Sequence, residues 1–326
     1  MLSRFWLVSP AIGAGQKAVA PRGRRVFGFA PVFSSTVSSP APTTSDYALL
    51  DSGGFQKLER FGPVVLSRPC AQAVWNPTLP KHEWQRATAT FFRDGGNQWR
   101  GRDRLPESWV ISVDGTRFQL SSTDFGHLGI FPEQRDQWRR IREVCAAYHK
   151  MHARPARVMN LFAYSGGSTL AAAHAGAEVC HVDASKGMVE WARQNATLNG
   201  LQDKPVRWIV DDVTKFLERE LRRERRYDLI ILDPPSYGRG ARGEIFKIEN
   251  DLPKLLDLLA KLMSDEPLGV LLSCHTPELT PVSLHHLLLQ AFGRRQGRLE
   301  QGEMLLKGAE QVLPVPSGGF CWWLAE

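Results

Sequence analysis

The 326-residue chain has no apolar run near the roughly 18 residues of a membrane span. The stretch from Phe5 to Val8 is too short, and too soon broken by Pro10, to be the core of a secretory signal. Paired cysteines are also missing. The five present (Cys70, Cys145, Cys180, Cys274, Cys321) are odd in number and scattered, with no Cys-x-x-Cys spacing, which excludes a disulfide framework and indicates no metal site. Acidic residues are missing from the first 45 positions, which hold Arg4, Lys17, Arg22, Arg24 and Arg25. The remaining 36 basic residues face 34 acids, so the net charge of +7 comes mostly from that segment. Any nucleic-acid surface is therefore a local patch and not a whole-molecule field. What is present is a 43% hydrophobic content, enough for a substantial core and against general disorder, over a length that suggests about two domains.

Residues 1–45 combine basic, Ser- and Pro-rich character with the absence of acids, which predicts a disordered or transit-peptide-like extension. A soluble intracellular protein is expected, cytoplasmic in a bacterium, or mitochondrial or plastid if that segment is a transit peptide. Residues 46–122 predict a small β-rich domain. Its strongest signal is a hairpin, Trp109–Val113 and Thr116–Leu120 about the turn Asp114-Gly115. Its tryptophans suit a compact core better than base stacking. Residues 123–326 predict an α/β domain. A helix over Glu133–Lys150 carries Trp138, Ile141, Val144, Cys145 and Tyr148 at three- and four-residue spacing. Strand and helix patterns then alternate through Val158–Ala163, Ser168–Ala175, Glu178–Val182, Lys186–Asn199, Val206–Val210, Val213–Arg223, Asp228–Leu232, Asn250–Met263 and Gly269–Ser273. This rhythm predicts a doubly wound, Rossmann-like parallel sheet with ligand chemistry at the carboxyl ends of its strands.

The residues at those ends carry the motifs. The first strand runs into Phe162-Ala163-Tyr164-Ser165-Gly166-Gly167, a glycine turn that exposes amide donors before a helix. Asp183 closes the second strand, placed to accept the two hydroxyls of a ribose. The three glycines of a dinucleotide fingerprint are absent. The third strand ends at Asp211-Asp212. The fourth ends in Asp233-Pro234-Pro235-Ser236-Tyr237, where two prolines hold a carboxylate and an aromatic ring in a fixed loop.

Taken together, Phe-Ala-Tyr-Ser-Gly-Gly, Val-Asp-Ala-Ser, Asp-Asp-Val and Asp-Pro-Pro-Ser-Tyr resemble the class I S-adenosylmethionine-dependent methyltransferases, and are similar to the branch containing bacterial 23S rRNA cytosine-C5 methyltransferases. The glycine turn departs from the superfamily's G-x-G-x-G, and no PUA domain is recognisable. The resemblance implies a seven-stranded sheet, S-adenosyl-L-methionine as cofactor and RNA, in particular rRNA, as substrate; from the apolar runs and cysteine spacing above, no membrane partner and no metal are expected. It implies that Gln134 and Arg135 reach the amino-acid end of the cofactor and that Phe162, Tyr164 and Gly166 line its methionine part. Asp183 would hold the ribose and Asp212 the adenine, with Asp233 at the entrance to the target base.

Carbon 5 of cytosine becomes a nucleophile only after a thiolate adds to carbon 6. Cys274, in Ser273-Cys274-His275 at the end of the fifth strand, stands where the resembling enzymes carry their nucleophile, so it is expected to be catalytic together with Asp233. His275 is expected to favour the thiolate. Pro234, Pro235 and Tyr237, followed by Arg239 and Arg242 in Gly-Arg-Gly-Ala-Arg-Gly, form the expected substrate loop. The Arg219–Arg226 run alternates with glutamates and is expected to be a solvated helix end. A nitrogen, protein or small-molecule acceptor, and a non-catalytic cofactor- or RNA-binding module, are the competing readings. The sequence leaves the oligomeric state open.

Overall fold

Strand Leu229–Leu232 is apolar along its whole length, and Arg157–Leu161 is buried from Val158 onward with Asn160 its one polar interior residue, as suits strands covered on both faces. They lie side by side at the centre of a seven-stranded sheet in a computed structural model that describes residues 45–239, 243 and 245–326. The expectation for residues 1–44 and the position of Arg242 lie outside the described residues, as does the side chain of Arg239.

Five strands and a hairpin precede this sheet. Strands β1 (Tyr47–Gly53), β2 (Gln56–Phe61), β3 (Val64–Pro69), β4 (Ala89–Phe92) and β5 (Gln98–Arg100) form one sheet in that order, with the short helix α1 (Lys81–Gln85) between β3 and β4. Strands β6 (Trp109–Val113) and β7 (Thr116–Leu120) form the hairpin expected from the Asp114-Gly115 turn. The helix α2 (Arg135–His152) follows. The remaining elements are β8 (Arg157–Leu161), α3 (Gly167–His174), β9 (Glu178–Asp183), α4 (Lys186–Leu198), β10 (Val206–Val210), α5 (Val213–Arg222), β11 (Leu229–Leu232), the two-stranded ribbon β12 (Tyr237–Arg239) and β13 (Ile245–Lys247), α6 (Ile248–Leu262), β14 (Gly269–Cys274), α7 (Pro281–Phe292), β15 (Gly297–Leu306) and β16 (Val315–Ala325).

The large sheet runs β10-β9-β8-β11-β14-β16-β15; its first five strands are parallel, and β16 is antiparallel to both its neighbours. Helices cover both faces. Trp138, Ile141 and Cys145 of α2 and Leu170–Ala173 of α3 pack on one side with Val158, Ile231 and Leu271. Phe216 of α5, Leu255 and Leu259 of α6 and Leu284 of α7 pack on the other with Met159, Ile230, Leu272 and Cys274. The order reverses between β8 and β11, which opens a crevice at their carboxyl ends.

The hairpin sets the small sheet against the large one. Trp109 Nε1 donates to the Phe61 carbonyl at 3.1 Å, and Ser112 N donates to Asp46 Oδ2 at 2.8 Å. On its other side Gln119 N donates to Asn195 Oδ1 of α4 at 2.8 Å, and Trp191 Nε1 returns a bond to the Gln119 carbonyl at 2.9 Å. Residues before and after position 122 thus share one core among the described residues.

Candidate active site

The turn after β8 is strained. Phe162 and Tyr164 adopt φ of 54° and 50°, values that a side chain with Cβ disfavours, and Gly166 follows at 93°. The strain turns the Tyr164 amide toward Asp183, whose Oδ2 accepts it at 2.9 Å, while Asp183 Oδ1 accepts the Ser185 amide at 2.8 Å. Burial pushes the Asp183 carboxyl up from its usual range, and these two amides only partly oppose it. No cation offsets that burial among the described residues, so the carboxylate retains capacity for further donors.

At the switch point, Asp233 follows β11. Its Oδ2 accepts from Gln134 Nε2 at 3.0 Å, and the same amide donates to Ser273 Oγ at 3.0 Å. Its Oδ1 is buried and lacks a hydrogen bond, but lies 3.4 Å from His275 Nδ1, within ion-pair range and outside hydrogen-bond geometry. His275 Nε2 sits 3.1 Å from Glu133 Oε1. The Phe131 ring packs against His275, Tyr164 and His127, with centroids 5.2–5.5 Å apart. The prolines stiffen the backbone here, and Ser236 Oγ meets Thr276 Oγ1 at 2.6 Å, tying the Asp-Pro-Pro loop to the end of β14.

Apart from the buried Ser273, these groups line one cavity of about 740 Å³, a volume in the range of small-molecule sites. Gln134, Phe162, Tyr164, Asp183, Asp212, Asp233, Pro234 and Pro235, all singled out from the sequence, lie on its wall. Asp212 also caps α5, accepting the Lys215 amide at 3.0 Å. The opposite wall comes from the small sheet and the loop after the hairpin, through Lys57, Arg68, Phe91, Arg93, Phe125 and His127. Arg68 is held there by buried Glu59, and donates to the Gly126 carbonyl at 3.1 Å.

Other expected residues fall elsewhere. Arg135 opens α2 and is not part of the wall, since the chain turns into the helix at that point. Gly166 is also off the wall, because its turn serves packing: a Cβ there would lie 3.1 Å from the Ala192 side chain. At Gly167 a Cβ would sit 2.6 Å from the Trp138 ring, so the glycine pair lets α3 approach α2 and α4 as well as facing the cavity. Tyr237 stands on β12, 48% exposed and outside the lining.

The structure departs most from expectation at Cys274. Along β14, Leu271 packs on the α2 side and Ser273 faces Gln134, whereas Val270, Leu272 and Cys274 point into the α6 and α7 core. Cys274 is 0% exposed, does not line the cavity, and accepts the Thr276 amide at 3.3 Å. Burial pushes its thiol up, against what a thiolate nucleophile needs. The alternation of side chains along a strand thus puts the thiol on the far face of the sheet from the Gln134 and Ser273 side chains. Glu133 and the double contact of His275 are the site features that sequence reading missed. Their only signal was a charged residue flanking Pro132 and a histidine just past a strand end.

Comparison with known proteins agrees with this layout. A family model described as S-adenosylmethionine-dependent methyltransferase matches residues 71–310. Ribosomal RNA large subunit methyltransferase K of Neisseria meningitidis is 29% identical over 174 residues, which cover 53% of this chain and 47% of that protein. Ribosomal RNA large subunit methyltransferase K/L of Shewanella sp. strain MR-4 is 30% identical over 211 residues, covering 63% of this chain and 27% of that protein. The chain therefore spans less than half the length of these curated relatives. Among solved structures, a SAM-dependent methyltransferase from Agrobacterium tumefaciens superposes with a TM-score of 0.81 at 37% identity, covering 88% of this chain and 95% of that one. A methyltransferase structure from Streptococcus mutans gives 0.67 at 18% identity over 86% of this chain and 75% of its own, a likeness of fold alone.

Proposed function

The chain belongs to the S-adenosylmethionine-dependent methyltransferase family, and from that premise we propose that it methylates a nucleobase nitrogen of large-subunit ribosomal RNA. The residues present fit the cofactor. Asp183 is a half-buried carboxylate with only backbone partners, which is the chemistry a pair of ribose hydroxyls completes. Phe162 and Tyr164 would flank the methionine part and Asp212 the adenine, since all three share the cavity wall with Asp183. When bound, S-adenosyl-L-methionine supplies an electrophilic methyl group on a sulfonium.

The chain's own contribution is position and exclusion of water. Gln134 fixes the Asp233 carboxylate through Oδ2, and the two prolines that follow keep the loop from yielding. Asp233 would accept a hydrogen bond from the acceptor's N–H edge, hold its lone pair toward the methyl group, and receive the proton that nitrogen loses. Lys57 and Arg93 on the facing wall suit a phosphate backbone. The names of the curated relatives support ribosomal RNA as its source.

The observation that carries the nitrogen reading is the placement of Cys274. A carbon-5 acceptor on cytosine needs a thiolate over the ring, and Cys274 would have to leave its core and cross to the cavity side. No cysteine lines the cavity among the described residues. To test the reading, purified large-subunit rRNA, a ribosomal protein mixture and buffer alone are each incubated with methyl-labelled donor. Label is expected in rRNA and is expected to be lost with Asp233→Asn. Label confined to protein, or transfer to rRNA undiminished in that variant, would overturn it.

A further inference from the structure

Both ring nitrogens of His275 face carboxylate oxygens: Nδ1 stands 3.4 Å from Asp233 Oδ1, and Nε2 stands 3.1 Å from Glu133 Oε1. A neutral imidazole carries one N–H, so it would set a lone pair against one of the two carboxylates. The imidazolium presents an N–H and a share of positive charge to each, a hydrogen bond at Glu133 and an ion pair at Asp233. Glu133 is buried, and Asp233 Oδ1 has no hydrogen-bond partner of its own.

We propose that His275 is a positioning residue, held as an imidazolium between Asp233 and Glu133, that fixes the pose of the Asp233 carboxylate toward the acceptor.

The surroundings agree with that charge. Burial alone would lower the proton affinity of His275, but Asp233 and Glu133 outweigh it and hold the imidazole well above the usual histidine range. Burial alone would push the Glu133 carboxyl up, and its bond to His275 reverses this, holding it below the usual range. Among the described residues, Lys57, Arg68 and Tyr47 from the small sheet, His127 across Phe131, and the adjacent Cys274 thiol are other charged or titratable groups near this cluster. Burial, Arg68 and Arg93 lower His127, which favours its neutral form and so limits charge repulsion against His275. Gln134 grips Oδ2 while His275 faces Oδ1, so the carboxylate is fixed from two sides. The consequence for catalysis rests on Asp233 acting as proposed above; the charge state does not.

The test uses the full chain with nitrogen-15-labelled histidine, its His275 signals assigned by a His275→Gln variant, titrated by NMR across pH 5 to pH 10 as a chosen range. Both ring nitrogens of His275 are expected to carry protons at neutral pH. In Glu133→Gln, which keeps a hydrogen-bonding side chain and removes one charge, the titration midpoint is expected to fall by about one unit or more. The alkaline limb of kcat/KM for RNA should move down in step, and His275→Gln should lower kcat with little change in donor KM. A His275 that titrates in the ordinary histidine range, or a Glu133→Gln variant that moves neither midpoint nor limb, would overturn the proposal. If His275 titrates as expected but rRNA takes no label, the function reading fails and the charged clamp stands. If rRNA is labelled and His275 is neutral, the reverse holds.

Discussion

The two ends of the same parallel strands treat buried charge in opposite ways. At the amino ends, Asp228 is 0% exposed and accepts from Arg154 at 2.8 Å, from the Arg157 guanidinium at 2.9 Å and from the Arg157 amide at 2.8 Å. Nearby Glu220, also fully buried, is surrounded by Arg207, Arg223 and the Tyr227 hydroxyl. At the carboxyl ends, Asp183 has two backbone amides and no cation, and Asp233 has one side-chain amide donor, with no arginine or lysine partner and its other oxygen facing His275 without a hydrogen bond. Saturated carboxylates lock the fold, whereas the undersaturated ones at the crevice leave capacity for a ligand to fill. The difference locates the chemistry before any ligand is considered.

That contrast makes substitutions at the two ends separable. The largest effect is expected at Asp233→Asn, which keeps the side-chain shape and removes the charge that accepts the proton. Methyl transfer should fall by about 10²–10⁴-fold, with the unfolding midpoint in denaturant close to that of the parent. Loss of stability without loss of turnover would erase the contrast. Asp228→Asn should do the converse. It breaks a pair buried on the carboxylate side, at a cost of about 2–4 kcal/mol, discounted from the ~3–5 of a fully buried pair because Arg154 and Arg157 are partly solvated. Denaturant unfolding measures it, and turnover per folded molecule should hold.

The pH dependence at that end carries the same sign. Burial would raise the Asp228 carboxyl, but Arg157 and Arg154 reverse this and hold it well below the usual range. Its contribution is therefore present above the ordinary carboxylate pKa, about 3.9, and is lost as pH falls further toward the depressed folded-state value. The parent should lose this increment in acid, whereas Asp228→Asn, lacking it, should show a flatter acid limb. The smallest effect is expected at Cys274→Ala: about 1 kcal/mol of stability from the lost apolar contact, with methyl transfer within about twofold, because the thiol lies in the α6 and α7 core and reaches the crevice only through the Thr276 amide it accepts.

Much of the large sheet was legible because strands such as Leu229–Leu232 and helices such as Arg135–His152 carry clean apolar patterns. The last two strands were not. Val315–Ala325 begins Val-Pro-Ser-Gly-Gly, residues that read as a breaker, yet it pairs antiparallel with β14 and places Trp322 and Trp323 on opposite faces of the core. The irregular spacing of tryptophan, glycine and proline likewise hid the five-stranded order of the small sheet. In the site, Asp183 and Asp233 were readable because they sit where strands end. Glu133 and His275 meet across 142 positions, a pairing that only the packing of the 3₁₀ turn before α2 against the end of β14 produces. Cys274 misled because β14 is apolar on both faces, so composition alone did not say which face its last residue takes.

The most direct test is the chemical identity of the product. Nucleosides from large-subunit rRNA, incubated with the protein and methyl-labelled donor, are separated and weighed by mass spectrometry for the parent and for Cys274→Ala. The account predicts a nitrogen-methylated nucleoside in equal yield from both. 5-Methylcytidine from the parent, absent with Cys274→Ala, would contradict it.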